Sequence, residues 1–181
     1  EMVLEEHSEK QICVIDSRAA AGAMVLLIRR AQALMEAAGD DGDFDALCQQ
    51  LHRYQATLRT CFTLENFDNL IKNGRMRPIV GTLLRSLGIH IIADATAEGT
   101  IHVADKARGV GKTYRAITAL MKASKDCTDA EVVISHCENL EGAMALKRQI
   151  LADLPVKQVD LLSCRGLTSF YAMEKGLIVG Y

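Results

Sequence analysis

The order of strand-like and helix-like segments constrains this chain more than any other feature. A strand-like run at 131–135 (EVVIS) precedes a helical stretch at 139–154, and a second strand-like run follows at 156–162. Further strand-like runs lie at 61–64 and 176–181. The segments IHIIADAT and TIHVAD flank Ala97, Glu98 and Gly99, a pattern typical of a β-hairpin. Strands that alternate with helices predict an α/β fold, here with an antiparallel hairpin inserted.

The first sixty residues are predicted to contain one strand and two helices. The run ICVID (12–16) has the pattern of a buried strand, and Ser17 is suited to cap the helix that follows. That helix, at about 19–38, is apolar almost all round, which predicts cover on several sides. Asp43 is suited to cap a second helix at 44–59. Between 65 and 87 we expect a brief helix that ends at Gly74 and another at 79–87.

Composition excludes several classes of partner. With 181 residues, 49% of them apolar, the chain can form one domain or two small ones. A formal net charge of −2 lacks the basic excess that nucleic acid requires, so we expect no nucleic-acid partner. The most apolar run, 19–28, is too short to span a bilayer, so we expect no stable membrane insertion. Six cysteines without a C-x-x-C pair or a signal peptide predict reduced thiols and a cytoplasmic location.

The stretch KARGVGKT (106–113) ends like a phosphate-binding P-loop. A P-loop begins with glycine five residues before its second glycine, and this chain has Lys106 at that position. The stretch IHVAD (101–105) that precedes it is also short and alternating, unlike the apolar strand that usually feeds a P-loop. A phosphate- or nucleotide-binding enzyme domain that uses this Gly-rich loop and Lys112 is therefore the alternative function, and a polar strand-to-helix connection is the simpler interpretation.

No catalytic or metal-binding set emerges from the sequence. His136 and Cys137 have no second ligand pair at usable spacing, and Asp16 and Ser17 have no histidine placed to activate a nucleophile. We therefore predict no metal site, no catalytic residue and no enzymatic activity.

Five ordered motifs carry a resemblance to a known family. VIDSRAAAG, LENFDNLIKNGRM, VADKARGVGKTYRAI, ISHCENLEGAMALK and YAMEKGLIVGY occur in this order and extend over nearly the whole chain from Ile12. Together they resemble the DegV family of bacteria. The resemblance implies a two-lobed DegV-like α/β fold. Residues 1–60 would be a remnant of the N-terminal lobe, and 61–181 would be the C-terminal lobe with its hairpin.

The resemblance implies a function as a lipid carrier. DegV-like proteins bind one long-chain fatty acid between two lobes and present its carboxylate to a separate fatty-acid kinase, which makes the acyl phosphate for phospholipid synthesis. The resemblance implies no cofactor other than the bound fatty acid. It also implies that Tyr171, Ser169, Arg108 and Arg75 bind the ligand, and that Arg75, Arg108 and Lys112 form a docking face for the kinase.

Two departures from the family pattern affect the predicted site. The Thr- and Ser-rich motifs that hold the carboxylate in the family have no counterpart before Ile12, so the chain looks like a C-terminal fragment, and membership of a larger fusion with the kinase is a further alternative. The closing motif of the family usually carries a histidine followed by Gly-Pro-Gly, and here Tyr171 occupies the histidine position. A phenol can donate to a carboxylate but does not change charge near neutral pH.

The residues that could line a tunnel for the acyl chain, and those that could bind its carboxylate, each have a simpler interpretation. The small residues at 19–23 leave room beside Met24, Leu27 and Ile28 for an acyl chain, or they simply pack the core. Arg75 and Arg108, taken alone, fit solvated surface positions equally well.

Overall fold

The chain forms one mixed β-sheet with helices on both faces. The computed structural model describes residues 9–39, 42–77 and 88–181. In chain order, the elements are α1 (Gly22–Ala38), α2 (Phe44–Thr57), β1 (Thr60–Thr63), α3 (Asp68–Lys72), β2 (Ile89–Ala95), β3 (Ile101–Arg108), α4 (Val110–Ser124), β4 (Glu131–His136), α5 (Leu140–Asp153), β5 (Gln158–Ser163), α6 (Gly166–Ala172) and β6 (Leu177–Gly180).

Within the described residues, the sheet has six strands in the order β3-β2-β1-β6-β4-β5. Only β4 and β5 run parallel, because helix α5 connects them as a crossover, and the other neighbours are antiparallel. The predicted hairpin is β2–β3, which pairs Ala95 with Ile101 next to its turn. The α/β class with an inserted antiparallel hairpin is therefore confirmed.

Helices α4 and α5 cover the first face of the sheet. Their apolar side chains, among them Ile117, Met121, Leu146 and Ile150, are fully buried in one cluster with residues of the strands. A polar contact joins the two helices at the edge of this cluster. The Thr118 hydroxyl donates to Asp153 Oδ2 at 2.6 Å.

Helix α1 packs against β4 and β6 on the second face. Its Leu26 and Leu27 are buried with Val133 of β4. This close packing depends on two glycines. A Cβ atom on Gly180 would collide with the backbone of Gly22 and Ala23, and one on Gly22 would collide with the Val133 carbonyl oxygen. Among the described residues, α1 covers β4 and β6 but not β1 to β3, which leaves a groove on the second face between residues 16–20 and α3.

The structure corrects three predictions for the first forty residues. Residues 12–16 form no strand. Their side chains are partly exposed, and the following Ser17 carbonyl oxygen accepts from Gln55 Nε2 at 3.2 Å instead of joining a strand ladder. Ser17 caps no helix, since α1 begins at Gly22. Helix α1 is also not covered on several sides, because Ile28 and Met35 are more than 60% exposed.

No helix within the described ranges is long and apolar enough to cross a membrane.

Other local predictions are confirmed. Asp43 caps α2 by accepting from the Ala46 amide at 3.1 Å. Gly74, at φ 71°, ends the α3 turn as predicted, with the Arg75 amide donating to the Leu70 carbonyl at 2.8 Å in a Schellman-type closure. The helix expected at 79–87 lies outside the described residues. Helix α6 was not predicted.

Candidate functional site

An open groove of about 1310 Å³ lies on the second face of the sheet. Its floor is formed by the side chains of four strands and of the residue after β1. These floor residues are Thr60, Phe62, Leu64, Ala95, Ile101, Val103 and Ile178. Its walls are residues 16–20 on one side and α3, its following turn and α6 on the other. Thr60, Phe62 and Leu64 share the floor because alternate residues of a strand point to the same face.

A cation and a phenol lie at the end of the groove where β1 leaves the sheet. The guanidinium carbon of Arg75 is 5.8 Å from the centroid of the Tyr171 ring. The Arg75 side chain also donates to the Asn73 carbonyl at 2.7 Å, and both Arg75 and Tyr171 line the groove. Phe170 packs edge-to-face against Tyr171 at 5.0 Å between centroids. Two predicted ligand-binding residues therefore meet at one end of an apolar-floored groove.

The opposite end of the groove lies beside the β2–β3 turn. Arg18 donates to the Ala97 carbonyl at 3.0 Å and approaches Asp16 at 3.5 Å, so its charge is already paired. A hydrogen bond from Thr96, together with its own backbone amide, lowers the pKa of Glu98, which is fully exposed. The charged groups at this end thus have partners of their own.

One floor residue at this end, Thr60, carries a hydroxyl without a hydrogen-bond partner among the described residues. The Thr60 hydroxyl is buried and makes no hydrogen bond within the described part of the chain. Thr60 was not predicted as a site residue, because the strand was expected to begin one residue later, at Cys61. The alternation of Thr60 with Phe62 and Leu64 would have placed it on the same face.

The other predicted site residues lie elsewhere. Ser169 does not line the groove, because Leu167 and Tyr171, four residues apart on α6, face it and Ser169 lies between them on another side of the helix. Arg108 pairs with Ile89 at the end of β3, on the groove face of the sheet but about 15 Å along the strand from Val103. Lys112 lies on the first turn of α4, which covers the opposite face.

The Gly-rich stretch does not form a phosphate-binding loop. Strand β3 continues to Arg108, and Gly109, at φ 84°, is the one residue between it and α4. Thr113 is 1% exposed, and its hydroxyl donates to the Gly109 carbonyl at 3.0 Å. The nucleotide alternative requires an open loop and a free hydroxyl here, and the structure provides neither.

A smaller pocket of about 350 Å³ lies on the first face, between the N-terminal ends of α4 and α5. The buried Thr63 hydroxyl also lacks a partner among the described residues, and it lines this pocket. Burial, and the nearby carboxylates of Glu141 and Glu65, raise the pKa of Tyr114 in the same pocket. Across the described residues, no three His, Cys, Asp or Glu side chains come together as metal ligands would.

Sequence comparison identifies the family. The family model described as "Uncharacterised protein, DegV family" matches residues 1–176. The chain belongs to the DegV family. A DegV domain-containing protein of Streptococcus gordonii is 33% identical over 181 residues, which cover 99% of this chain and 63% of that protein. The chain thus spans less than two thirds of the length of this curated relative.

Solved DegV structures share the fold. A DegV family protein from Eubacterium eligens, loaded with heptadecanoic acid, matches with a TM-score of 0.90 and 27% identity, over 99% of this chain and 63% of that one. The fatty acid kinase B3 protein of Streptococcus pneumoniae, loaded with linoleic acid, matches with a TM-score of 0.89 and 32% identity over the same shares. The DegV-like fold expected from the motifs is therefore confirmed.

The closing motif of this DegV chain forms a turn with two unusual residues. Met173 and Lys175 have positive φ values of 52° and 66°. Hydrogen bonds hold this turn. The Lys175 amide donates to the Cys137 carbonyl at 2.8 Å, and the Lys175 carbonyl accepts from Asn139 Nδ2 at 2.8 Å.

Proposed function

We propose that the protein binds one long-chain fatty acid in the groove and presents its carboxylate to a fatty-acid kinase. The observation that carries this proposal is a groove with an apolar floor that has Arg75 and Tyr171 together at one end. In this role the protein is a cytoplasmic carrier without catalytic residues or cofactor, and the kinase supplies the phosphoryl chemistry. The lobe boundary at residues 60 and 61 belongs to the same proposal.

The apolar floor suits an acyl chain. Burial of each methylene contributes about 0.8 kcal/mol, so a sixteen-carbon tail offers on the order of 12 kcal/mol before the costs of ordering. Ala19 and Ala20 line the groove, which agrees with the hypothesis that the small residues at 19–23 leave room for an acyl chain. Met24 and Ile28 do not line it, because they lie on the exposed side of α1.

The carboxylate belongs at the Arg75 end. A guanidinium binds a carboxylate through charge-assisted hydrogen bonds, and the Tyr171 hydroxyl can add another. In the DegV proteins of E. eligens and S. pneumoniae, the bound molecules are heptadecanoic and linoleic acid, each with a single polar end. Arg108 and Lys112, at neighbouring ends of β3 and α4, together with Arg75 give the kinase a basic docking face. Ser169 then contributes to ligand binding only indirectly, through the position of α6, which carries Tyr171.

The proposal is tested by calorimetric titration of the protein, expressed from its complete native reading frame, with stearic acid. We expect Arg75→Ala to weaken binding at least tenfold, since a hydrogen bond to a charged group contributes about 1.5–3 kcal/mol. Tyr171→Phe should weaken binding less. Arg53→Ala removes an exposed arginine of α2 that does not line the groove, and it serves as the matched control.

Two further variants separate ligand binding from kinase docking. With a fatty-acid kinase and ATP, Arg108→Ala and Lys112→Ala should slow acyl-phosphate formation while the affinity for stearic acid stays unchanged. If the native-frame protein does not bind stearic acid, or if Arg75→Ala and Arg53→Ala bind it equally, the proposed site is wrong.

A further inference from the structure

We infer that the groove selects a fatty acid that carries a hydroxyl group along its chain, and that Thr60 recognises this group. This inference rests on the proposed function, in which the carboxylate binds at the end of the groove with Arg75 and Tyr171. The inference adds a second polar contact at the opposite end of the groove, and the substrate class becomes hydroxylated long-chain fatty acids.

The key observation is an unpaired hydroxyl in an otherwise apolar floor. Thr60 is 7% exposed, and its Oγ1 has no hydrogen-bond partner within the described residues. The other floor side chains are all apolar. A buried polar group without a partner destabilises the fold, and native proteins leave few such groups unsatisfied. A bound ligand that offers a hydrogen bond at this point would remove the penalty.

The neighbouring polar groups already have partners. The Ser17 hydroxyl donates to the Ala19 carbonyl at 3.2 Å. The Thr100 hydroxyl lies 2.9 Å from that of Thr96. Arg18 is bound to Asp16 and to the Ala97 carbonyl. Among the described side chains at this end of the groove, the Thr60 hydroxyl is therefore the one without a partner.

The position of Thr60 places the ligand hydroxyl in the middle or distal part of the acyl chain, not beside the carboxylate. Thr60 and Leu64 line the same floor four residues apart, a distance of roughly 13 Å along the strand. Helix α6, which carries Tyr171, lies at the Leu64 end. The Cys164 amide, just before this helix, donates to the His136 carbonyl at the corresponding end of β4. An acyl chain bound by its carboxylate near Tyr171 would pass Phe62 and reach Thr60 in its middle or distal part.

The chemistry of threonine favours a neutral hydroxyl as the matching group. Its Oγ1 is both a donor and an acceptor, so an alcohol satisfies it in either direction. A charged group would be buried in the apolar floor without a counterion, which is costly. An unsubstituted chain would leave the Thr60 hydroxyl unpaired in the complex.

The test compares the affinity for stearic acid with that for mid-chain hydroxystearic acids, measured by calorimetry on the protein from its complete native reading frame. We expect the best-placed hydroxystearic acid to bind about tenfold more tightly than stearic acid, or 1.4 kcal/mol. Thr60→Val keeps the shape and removes the hydroxyl. It should abolish this preference, so that stearic acid and the hydroxystearic acids bind to the variant with equal affinity.

Thr63→Val is the matched control. Thr63 belongs to the same strand, is buried to a similar extent and has a hydroxyl that is likewise unpaired in the described part of the chain, but it lines the pocket on the opposite face. This variant should keep the wild-type preference, and thermal unfolding of both variants checks that they fold. Equal wild-type affinity for stearic and hydroxystearic acids, or an equal loss of preference in both variants, would overturn the inference and leave the proposed function intact. Failure of the wild type to bind any of these acids would contradict the proposed function itself.

Discussion

Lys175 shows how single residues shape the closing turn beside Tyr171. Its φ of 66° lies in the left-handed region, which costs an L-residue with a side chain roughly 1–2 kcal/mol and glycine almost nothing. The hydrogen bonds to Cys137 and Asn139 use only its backbone, so they survive substitution. We expect Lys175→Gly to raise the free energy of unfolding by about 1 kcal/mol in urea denaturation.

Lys175→Ala is the control for this prediction. It removes the same side chain but keeps the cost of the left-handed backbone, so it should not stabilise the protein. Equal effects of the glycine and alanine variants would show that the side chain, not the backbone conformation, sets the stability of this turn.

The packing of α1 on the sheet depends on the absence of a side chain at Gly180. A methyl group there would overlap the backbone of Gly22 and Ala23, which cannot move away without separating α1 from β6. We expect Gly180→Ala to destabilise the protein by about 3 kcal/mol, the upper part of the range for overpacked cores, measured by urea unfolding.

Gly111→Ala provides the comparison, because an added Cβ at this helical position meets no atom within 4 Å. Its stability should stay close to that of the wild type or rise slightly. A tolerated Gly180→Ala substitution would mean that α1 does not pack on β6 as closely as the structure indicates.

Helices α4 and α5 are joined by a contact whose strength depends on pH. Hydrogen bonds from Thr118, first, and from Gln149 lower the pKa of Asp153 below its ordinary value of 3.8. A carboxyl group with a lowered pKa in the folded state stabilises the fold above its unfolded pKa, and this contribution is lost as pH falls through the folded pKa. Thr118→Val should therefore destabilise the protein more at pH 7 than in acid below that folded pKa.

Urea denaturation at both pH values measures this difference, and carboxyl NMR titration gives the pKa of Asp153 directly. In Thr118→Val, the pKa of Asp153 should move up towards 3.8. A stability loss that is the same at both pH values would assign the effect of Thr118 to packing alone.

At the scale of the whole molecule, the sequence predicted local elements better than their arrangement. The hairpin, α2 with its Asp43 cap and the Gly74 turn follow from short-range patterns, and the structure contains them. The run at 12–16 has the composition of a strand but no strand partner among the described residues, and pairing between distant segments cannot be seen in a local pattern. Helix α6 has seven residues and no side-chain cap, so it left no signal.

The same limit applies to the candidate site. The motifs indicated Arg75 and Tyr171, and these two residues do meet at one end of the groove. Arg108 and Ser169 were indicated just as strongly, but strand length and helix rotation place them away from it. The groove itself depends on α1 covering β4 and β6 while leaving β1 to β3 open. This is a property of the tertiary packing, which no single segment encodes.

Native mass spectrometry of the protein, purified from its complete native reading frame without added lipid, decides whether the protein carries a fatty acid. We expect a complex heavier than the polypeptide by the mass of one long-chain fatty acid, and this adduct should be depleted in Arg75→Ala. A protein that carries no acyl chain, and that acquires none when incubated with stearic and hydroxystearic acids, would contradict the proposed function.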